Sequence, residues 1–369
     1  MLKIRKHLEN LPPYSPIEPF EVLSQRLDLA PQKIIKMDAN ENPYGPSPKA
    51  RQALAELAWP HIYPDPESRA LRSALADFSG APFENLMCGS GADELIDLLL
   101  RVMLEPNDRV LNLPPTFGMY PFDTHLNAGQ LVEVPRRDDF SLDMDGILKA
   151  VARQQPKVLF LTTPNNPDGS FPPAKEIEAL LDLDLLVVLD EAYIEFDDKG
   201  GKLGQQLTRI CQVADRENLI VLRTFSKWAG LAGLRIGYGV FPANIADILI
   251  RIKPPYSINM AANVAAQESI KDREYLLGTV SRMVEERHRL MAKLKQLEFL
   301  KPVPSRANFI LCDVVKGDAK WFQDELEKRG ILIRYYNTPL LRNYFRISVG
   351  KPEHTDKIID TLKYLGTQN

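Results

Sequence analysis

The sequence predicts an α/β protein: a large domain with a mostly parallel central sheet between helices, and a smaller α+β domain. Two observations predict this fold. Short apolar runs alternate with helical patterns through the middle of the chain, which is typical of layered α/β architectures. The length of 369 residues is also more than one small core requires, and it favours a large and a small domain.

Three short runs rich in β-branched residues are bounded by turn formers and predict strands buried on both faces. They cover residues 157–163, 185–190 and 218–223. Helices are predicted beside them over residues 92–104, 175–181 and 204–217. In the first of these helices Leu95, Leu98, Leu99 and Val102 lie on one side, as an amphipathic helix requires.

The pattern changes in the C-terminal third of the chain. A long charged helix is predicted over residues 276–297 and a shorter helix over residues 320–328. Short strands are predicted over residues 308–312, 331–334 and 344–348. We therefore expect an N-terminal arm that belongs with the small domain (residues 1–40), a large domain (41–255) and a small C-terminal domain (256–369).

Charge and composition exclude several classes of protein. The formal net charge of −3 gives no basic surface for nucleic acid. The histidines lack metal-ligand spacing, so no metal is expected. Cys88, Cys211 and Cys312 lie far apart among apolar neighbours, which is typical of reduced, buried thiols. Neither a signal peptide nor a membrane span is indicated, and we expect a soluble cytoplasmic enzyme.

Lys227 follows the predicted strand 218–223, where its pKa can fall and its amine can attack a carbonyl. Ser226 precedes it, and Arg235 supplies a cation suited to a phosphate. An amine that forms a Schiff base beside a phosphate-binding arginine is what a pyridoxal phosphate (PLP) site requires. The alternative is a surface lysine at the start of a helix.

Further candidates follow the other predicted strands, where ligands bind in open α/β sheets. Asp190 ends strand 185–190, and it either pairs with a pyridinium nitrogen or caps a helix. Asn166 and Tyr193 could donate to a phenolate, although Asn166 lies in a turn sequence and Tyr193 could be a core residue. Phe117 could stack on a pyridine ring or simply pack in the core.

A glycine-rich run, Cys88-Gly-Ser-Gly-Ala-Asp-Glu94, leads into the predicted helix 92–104. Glycines at that position free backbone N–H groups at a helix N-terminus to hold a phosphate. By itself such a run is a weak signal.

Together these motifs resemble the fold-type I, aspartate-aminotransferase-like PLP enzymes, and among them the histidinol-phosphate aminotransferase family. The resemblance runs almost from end to end. Its most specific segments are Asp38-Ala-Asn-Glu-Asn-Pro-Tyr-Gly-Pro46, Tyr63-Pro-Asp-Pro-Glu-Ser-Arg69, Pro164-Asn-Asn-Pro167, Asp190-Glu-Ala-Tyr-Ile-Glu195, Thr224-Phe-Ser-Lys227 and Gly230-Leu-Ala-Gly-Leu-Arg-Ile-Gly-Tyr238.

The resemblance implies a role for each candidate in holding PLP. Lys227 is implied to form the Schiff base and to move the proton at the substrate's α-carbon. The other implied contacts are Asp190 to the pyridinium, Asn166 and Tyr193 to the phenolate, Phe117 over the ring, and Ala92, Asp93, Ser226 and Arg235 around the phosphate. Tyr63 is implied to reach the phosphate of the neighbouring subunit, which makes the enzyme a homodimer with shared sites.

Substrate contacts are also implied. Arg346 matches the arginine that binds the α-carboxylate of amino acid partners, and Asn40, Arg334 and Tyr14 match other substrate-binding positions. From the residues alone, Arg346 and Arg334 could equally be surface arginines. Two departures from the common family sequence leave substrate preference open: Trp228 directly after the lysine, and Asp168 where a threonine is usual.

The expected reaction is transamination between histidinol phosphate and 2-oxoglutarate in histidine biosynthesis. An aromatic or broad-range amino acid aminotransferase is the nearest alternative. A PLP decarboxylase of a phosphorylated amino acid is a further alternative, distinguished by release of carbon dioxide. A non-catalytic regulator on the same fold is disfavoured because the chain keeps Lys227 and has no room for a DNA-binding domain.

Overall fold

The computed structural model describes residues 4–9, 11, 13, 18–199, 201 and 204–368. Its strands are β1 (Ile35–Met37), β2 (Leu86–Gly89), β3 (Arg109–Asn112), β4 (Gln130–Glu133), β5 (Val158–Thr162), β6 (Leu186–Asp190), β7 (Leu219–Thr224), β8 (Gly237–Val240), β9 (Leu300–Pro302), β10 (Phe309–Val314), β11 (Ile331–Tyr335) and β12 (Tyr344–Ser348). Its α-helices are α1 (Phe20–Leu27), α2 (Pro48–Ala55), α3 (Arg69–Ser79), α4 (Ala92–Met103), α5 (Met119–Leu126), α6 (Met144–Gln154), α7 (Ala174–Leu181), α8 (Ala243–Ile252), α9 (Met260–Lys271), α10 (Arg273–Leu294), α11 (Ala319–Glu327) and α12 (Pro352–Gly366).

The larger sheet has the strand order β2-β8-β7-β6-β5-β3-β4 within the described residues. Strand β8 runs antiparallel to both of its neighbours, and the other pairings are parallel. The mostly parallel sheet expected from the sequence is therefore confirmed. The carboxyl ends of β2, β5, β6 and β7 consequently meet at one edge of the sheet.

The predicted central strands are buried on both faces. Alternate residues of β6 pack into two different apolar clusters: Val187 and Leu189 on one face, Leu186 and Val188 on the other. Helix α4 covers the second face with Leu95, Leu98 and Leu99, as its amphipathic pattern predicts.

The smaller sheet has the order β1-β11-β12-β10-β9 within the described chain. Strand β1, from the N-terminal arm, pairs in parallel with β11 of the small sheet. Register places Arg334 of β11 opposite Arg346 of β12. The boundaries proposed at residues 40 and 255 stay a prediction.

Two expectations are wrong in the segment that precedes β7. The helix predicted over residues 204–217 is, in the described part, a 3₁₀ helix over Ile210–Asp215. In that helix Ile210 and Val213 face the core, and Cys211 is exposed. The i, i+3 spacing of a 3₁₀ helix explains this, because residues three apart share a face and leave the next position outside. Cys88 and Cys312 are buried as expected.

Candidate active site

The candidate site lies where the carboxyl ends of the parallel strands meet. Register aligns Thr162 with Asp190, and Thr224 with Gly237 of the antiparallel β8. Gly89, just before the start of α4, pairs with the same Gly237. The sheet therefore gathers the chemically important segments, which are distant in sequence, at one edge.

Lys227 stands just beyond β7 with a partly buried side chain. Its Nζ donates a hydrogen bond of 3.0 Å to the carbonyl oxygen of Ala39 and lies 5.9 Å from the centre of the Tyr193 ring. Burial, followed by the charge of Arg346, lowers the pKa of Lys227 to about 8. This amine is thus far more available as a nucleophile or base at neutral pH than an ordinary lysine.

Asp190 ends β6 and is 3% exposed. Its Oδ2 accepts a 2.7 Å hydrogen bond from the Tyr120 hydroxyl, and its Oδ1 accepts one of 3.1 Å from the Ala192 backbone N–H. Burial raises the pKa of Asp190 to about 6, and the bond from Tyr120 opposes that rise. The helix-cap alternative does not describe it, because the 3₁₀ helix that follows has Tyr193 as its N-cap.

Arg346 and Asn166 meet across the two sheets. Arg346 Nη1 donates to Asn166 Oδ1 at 2.5 Å, and Nη2 donates to the Asp38 carbonyl at 2.7 Å. The guanidinium lies 5.1 Å from the centre of the Phe309 ring. Arg346 is 6% exposed, so it is not the surface arginine that its sequence position also allowed.

Asn40 joins the N-terminal segment to the same place. Its Nδ2 donates to the Tyr193 hydroxyl at 3.1 Å, and its Oδ1 accepts from the Ser348 hydroxyl at 2.9 Å. Its backbone carbonyl accepts from Asn308 Nδ2 at 2.9 Å. Ser348 and Asn308 were missed by the sequence reasoning, because neither residue type is unusual in or beside a strand.

The N-terminus of α4 packs against Arg235 and strand β8. Gly91, the N-cap, has a φ of +78°, and a Cβ there would clash with Arg235 Nη2, so glycine lets the guanidinium lie against the start of the helix. Arg235 reaches Asp93 Oδ2 at 2.5 Å. A Cβ on Gly237 would lie 2.6 Å from the Ala92 nitrogen, so the close approach of β8 requires glycine there.

Ser226 and Phe117 lie in two other loops, after β7 and before α5. The Ser226 hydroxyl accepts from the Thr224 hydroxyl at 2.9 Å. Phe117 is half-buried and meets the Tyr120 ring edge-on, with 5.5 Å between ring centres. Tyr120 was missed by the sequence reasoning, although it stands only three residues after Phe117 in the same motif.

The remaining candidates are placed differently. Arg334 lies beside Arg346, and both guanidinium groups lie about 6 Å from the Tyr336 ring centre, at 6.0 and 5.9 Å. Tyr63 is 78% exposed and stacks on Tyr256 with 4.5 Å between ring centres. Tyr14 lies outside the described residues.

Trp228 and Asp168, the two residues that depart from the common family sequence, both have side chains that point into the protein. Trp228 is 1% exposed and stacks on Phe78 with 5.8 Å between ring centres. Asp168 is fully buried and accepts hydrogen bonds from Asn165 Nδ2 and, at 2.8 Å, from the Ser170 backbone N–H.

The described part of the chain was also compared with the requirements of a metal site and of a membrane span, and it meets neither. It holds no group of three or more His, Cys, Asp or Glu side chains that could bind a metal ion. Within the same ranges, every helix is too short or too polar to cross a membrane.

The chain is similar to known aminotransferases. The family model described as "Aminotransferase class I and II" matches residues 32–362. The chain belongs to this aminotransferase family. A chloroplastic histidinol-phosphate aminotransferase of Nicotiana tabacum is 51% identical over 98% of this chain and 86% of its own length. A histidinol-phosphate aminotransferase of Dehalococcoides mccartyi is 47% identical over 98% of both chains.

Solved structures of aminotransferases share the fold. The histidinol-phosphate aminotransferase of Sinorhizobium meliloti, solved in complex with pyridoxal-5'-phosphate, has a TM-score of 0.89 and 29% identity over 100% of this chain and 98% of its own. A double mutant of Thermus thermophilus aspartate aminotransferase has a TM-score of 0.81 and 22% identity over 99% and 100% of the two chains. The aspartate-aminotransferase-like fold expected from the sequence is confirmed.

Proposed function

We propose that this chain is a PLP-dependent histidinol-phosphate aminotransferase that uses 2-oxoglutarate as the amino acceptor, in histidine biosynthesis. The observation that carries the proposal is that Lys227, an amine with a lowered pKa, shares one site with the buried carboxylate of Asp190 and the guanidinium group of Arg346. Relatives of 47–51% identity that bear this enzyme's name support the choice of substrate.

The residues present fit PLP. Asp190 is a buried carboxylate that accepts hydrogen bonds from two neutral donors, Tyr120 and the Ala192 N–H, and a protonated pyridine nitrogen would pair with its charge. Asn166 and Tyr193 are hydrogen-bonding groups suited to the phenolate, and Phe117 would cover the ring. The phosphate would be held by the N–H groups of Ala92 and Asp93, together with Ser226 and Arg235. When bound, PLP supplies the electron sink that allows a proton to leave the substrate's α-carbon.

Lys227 is the residue suited to move that proton. Its pKa of about 8 lets the amine alternate between a base and an acid near neutral pH. In such a role a side chain contributes roughly 10²–10⁴-fold to the rate. The Ala39 carbonyl accepts a hydrogen bond from Nζ and so holds the free amine in the site.

Substrate anions would be bound on the small-sheet side of the site. Arg346 presents a guanidinium fork to the α-carboxylate of 2-oxoglutarate or glutamate. Arg334, beside it in the register, is suited to the phosphate of histidinol phosphate, with Asn40 and Tyr14 as further contacts. Two adjacent arginines fit a pair of substrates in which each carries an anion.

We also propose a homodimer in the cytoplasm. Tyr63 and its partner Tyr256 are exposed aromatic side chains, and Trp59 and Ile62 beside Tyr63 are 59% and 52% exposed. Exposed apolar clusters of this kind are typical of interfaces. In the dimer, Tyr63 would reach the phosphate of the partner's cofactor.

Product analysis tests the proposed reaction. The enzyme loaded with PLP, given L-histidinol phosphate and 2-oxoglutarate, is expected to form glutamate in equal amount to the histidinol phosphate consumed. Phenylalanine in place of histidinol phosphate should give a much smaller kcat/KM. A preference for phenylalanine would move the protein to the aromatic aminotransferases. Carbon dioxide release without glutamate would contradict transamination.

A further inference from the structure

Tyr120 is a buried polar residue that the site described so far does not explain. It lies in α5, is 0% exposed, and stacks on Phe160 with 4.6 Å between ring centres and 7° between ring planes. Phe117 packs against its edge. The ring is therefore held on two sides, and the direction of its hydroxyl is fixed by packing.

The hydroxyl joins two strand ends. It lies 2.7 Å from Asp190 Oδ2 at the end of β6 and 2.7 Å from the Thr162 Oγ1 at the end of β5. A carboxylate can only accept, and a tyrosine hydroxyl carries one proton. Tyr120 must then donate to Asp190 and accept from Thr162, which fixes the direction of both bonds.

The groups around Tyr120 keep its hydroxyl protonated, so that it remains the donor to Asp190. Burial, reinforced by the Asp190 charge, raises the pKa of Tyr120 well above its usual value of 10, so the hydroxyl stays protonated. Two other acidic groups, Asp93 and Glu191, disfavour the Asp190 charge from α4 and from the following residue. Tyr120 thus supplies a hydrogen bond that favours the ionised carboxylate against burial and these neighbours.

We propose that Tyr120, supported by Thr162, is a positioning residue that keeps Asp190 ionised and aimed at the ring nitrogen of the cofactor. This inference rests on the proposed function and adds a residue to it. The Oδ1 bond from Ala192 and the Oδ2 bond from Tyr120 hold both carboxylate oxygens, so the orientation of Asp190 is set before the cofactor arrives. Preorganisation of this kind strengthens binding because less ordering remains to be done.

Tyr120→Phe is the direct test, because it removes the hydroxyl and keeps the stacked ring. We would measure the Kd of PLP by equilibrium dialysis for the wild type, Tyr120→Phe, Asp190→Asn and the double variant. Asp190 accepts this bond both with and without PLP, so only the gain in orientation and ionisation appears in the Kd, and Tyr120→Phe should raise the Kd by about threefold or more. In the Asp190→Asn background the same change should alter the Kd less than about twofold, because Tyr120 acts through the charge of Asp190.

Controls separate the possible failures. Tyr238→Phe removes another buried tyrosine hydroxyl from the same sheet and should leave the Kd of PLP unchanged. Thr162→Val should weaken PLP binding on its own but have little further effect in the Tyr120→Phe background. These two substitutions form a second double-mutant cycle, which can be used if Asp190→Asn binds PLP too weakly to measure. An equal effect of Tyr120→Phe with and without Asp190, or no effect at all, would overturn the inference. If the wild type itself bound no PLP, the proposed function would fail instead.

Discussion

At the scale of the residue, Lys227 shows how a functional group is held at a cost in stability. Its pKa falls from the ordinary 10.5 to about 8 because the folded protein buries the ammonium and sets Arg346 nearby. Between pH 8 and 10.5 the folded state therefore binds fewer protons than the unfolded state, so stability rises with pH in that range. Below pH 8 the penalty of the buried charge is fully present.

Lys227→Met should therefore stabilise the protein without cofactor. The variant removes the buried charge but also the bond to Ala39, so we expect a net gain on the order of 1–2 kcal/mol at pH 7. Urea unfolding at pH 7 and at pH 9.5 measures it, and the gain should shrink at the higher pH. A gain that is independent of pH would show that the amine is not the cause. An equal charge removal at the exposed Lys363, as Lys363→Met, is the control.

The structure brings together several residues that the sequence singles out, but their contacts could not be predicted. Lys227, Asp190 and Asn166 could be named because each follows a recognisable strand within a family motif. Tyr120, Asn308 and Ser348 could not, since their contacts arise only when segments up to 308 residues apart meet. Arg346 was ambiguous for the same reason: an arginine in a short strand gives no sign of whether it faces solvent or a site.

At the scale of the element, the loop after β5 is held in shape by Asp168, whose role the sequence left unexplained. Asp168 is fully buried and accepts bonds from Asn165 and Ser170 within this loop. The buried Arg136 lies close enough for Asp168 to oppose the fall in the pKa of Arg136 that burial causes. Asp168 therefore shapes the turn that carries Asn166, rather than meeting a substrate.

Asp168→Asn should destabilise the protein by about 1–3 kcal/mol, because one donor in the loop loses its acceptor and meets an amide N–H₂ group instead. Denaturant unfolding of the variant measures the change. Asp184→Asn, at an exposed position, is the matched control and should change stability by less than about 0.5 kcal/mol. Equal effects of the two substitutions would contradict the role assigned to Asp168.

Elements with strong patterns were predicted well. Strands β5, β6 and β7 differ from their predicted bounds by one residue or so, since continuous apolar runs leave few alternatives. The segment before β7 was wrong because apolar residues three apart fit a 3₁₀ helix as well as an α-helix. Length and local spacing do not distinguish the two.

At the scale of the whole molecule, each complete site in the proposed homodimer is made by two chains. Lys227 and Asp190 come from one subunit, and Tyr63 would come from the other. Packing within a single chain leaves Tyr63 78% exposed, which suits a residue that acts across an interface.

Mixed dimers test this sharing. Lys227→Ala and Tyr63→Ala variants should each have little activity alone, but a mixed dimer keeps one site with both groups intact. In a random mixture, half of the dimers are mixed, and one of the two sites in each mixed dimer is intact. The mixture should therefore recover roughly a quarter of the wild-type activity. Lys227→Ala mixed with Asp190→Asn is the control and should recover nothing, because both groups belong to the same subunit's site. Equal recovery in the two mixtures, or none in the first, would contradict a shared site.

The central claim is tested most directly by a single half-reaction. The purified protein is loaded with PLP, and the visible absorbance of the bound cofactor is followed after adding L-histidinol phosphate, phenylalanine or aspartate separately. We expect rapid loss of the band with histidinol phosphate, much slower loss with the other two, and no such band in Lys227→Ala. Wild-type protein that forms no band with PLP, or a Lys227→Ala variant that still converts substrate, would contradict the account.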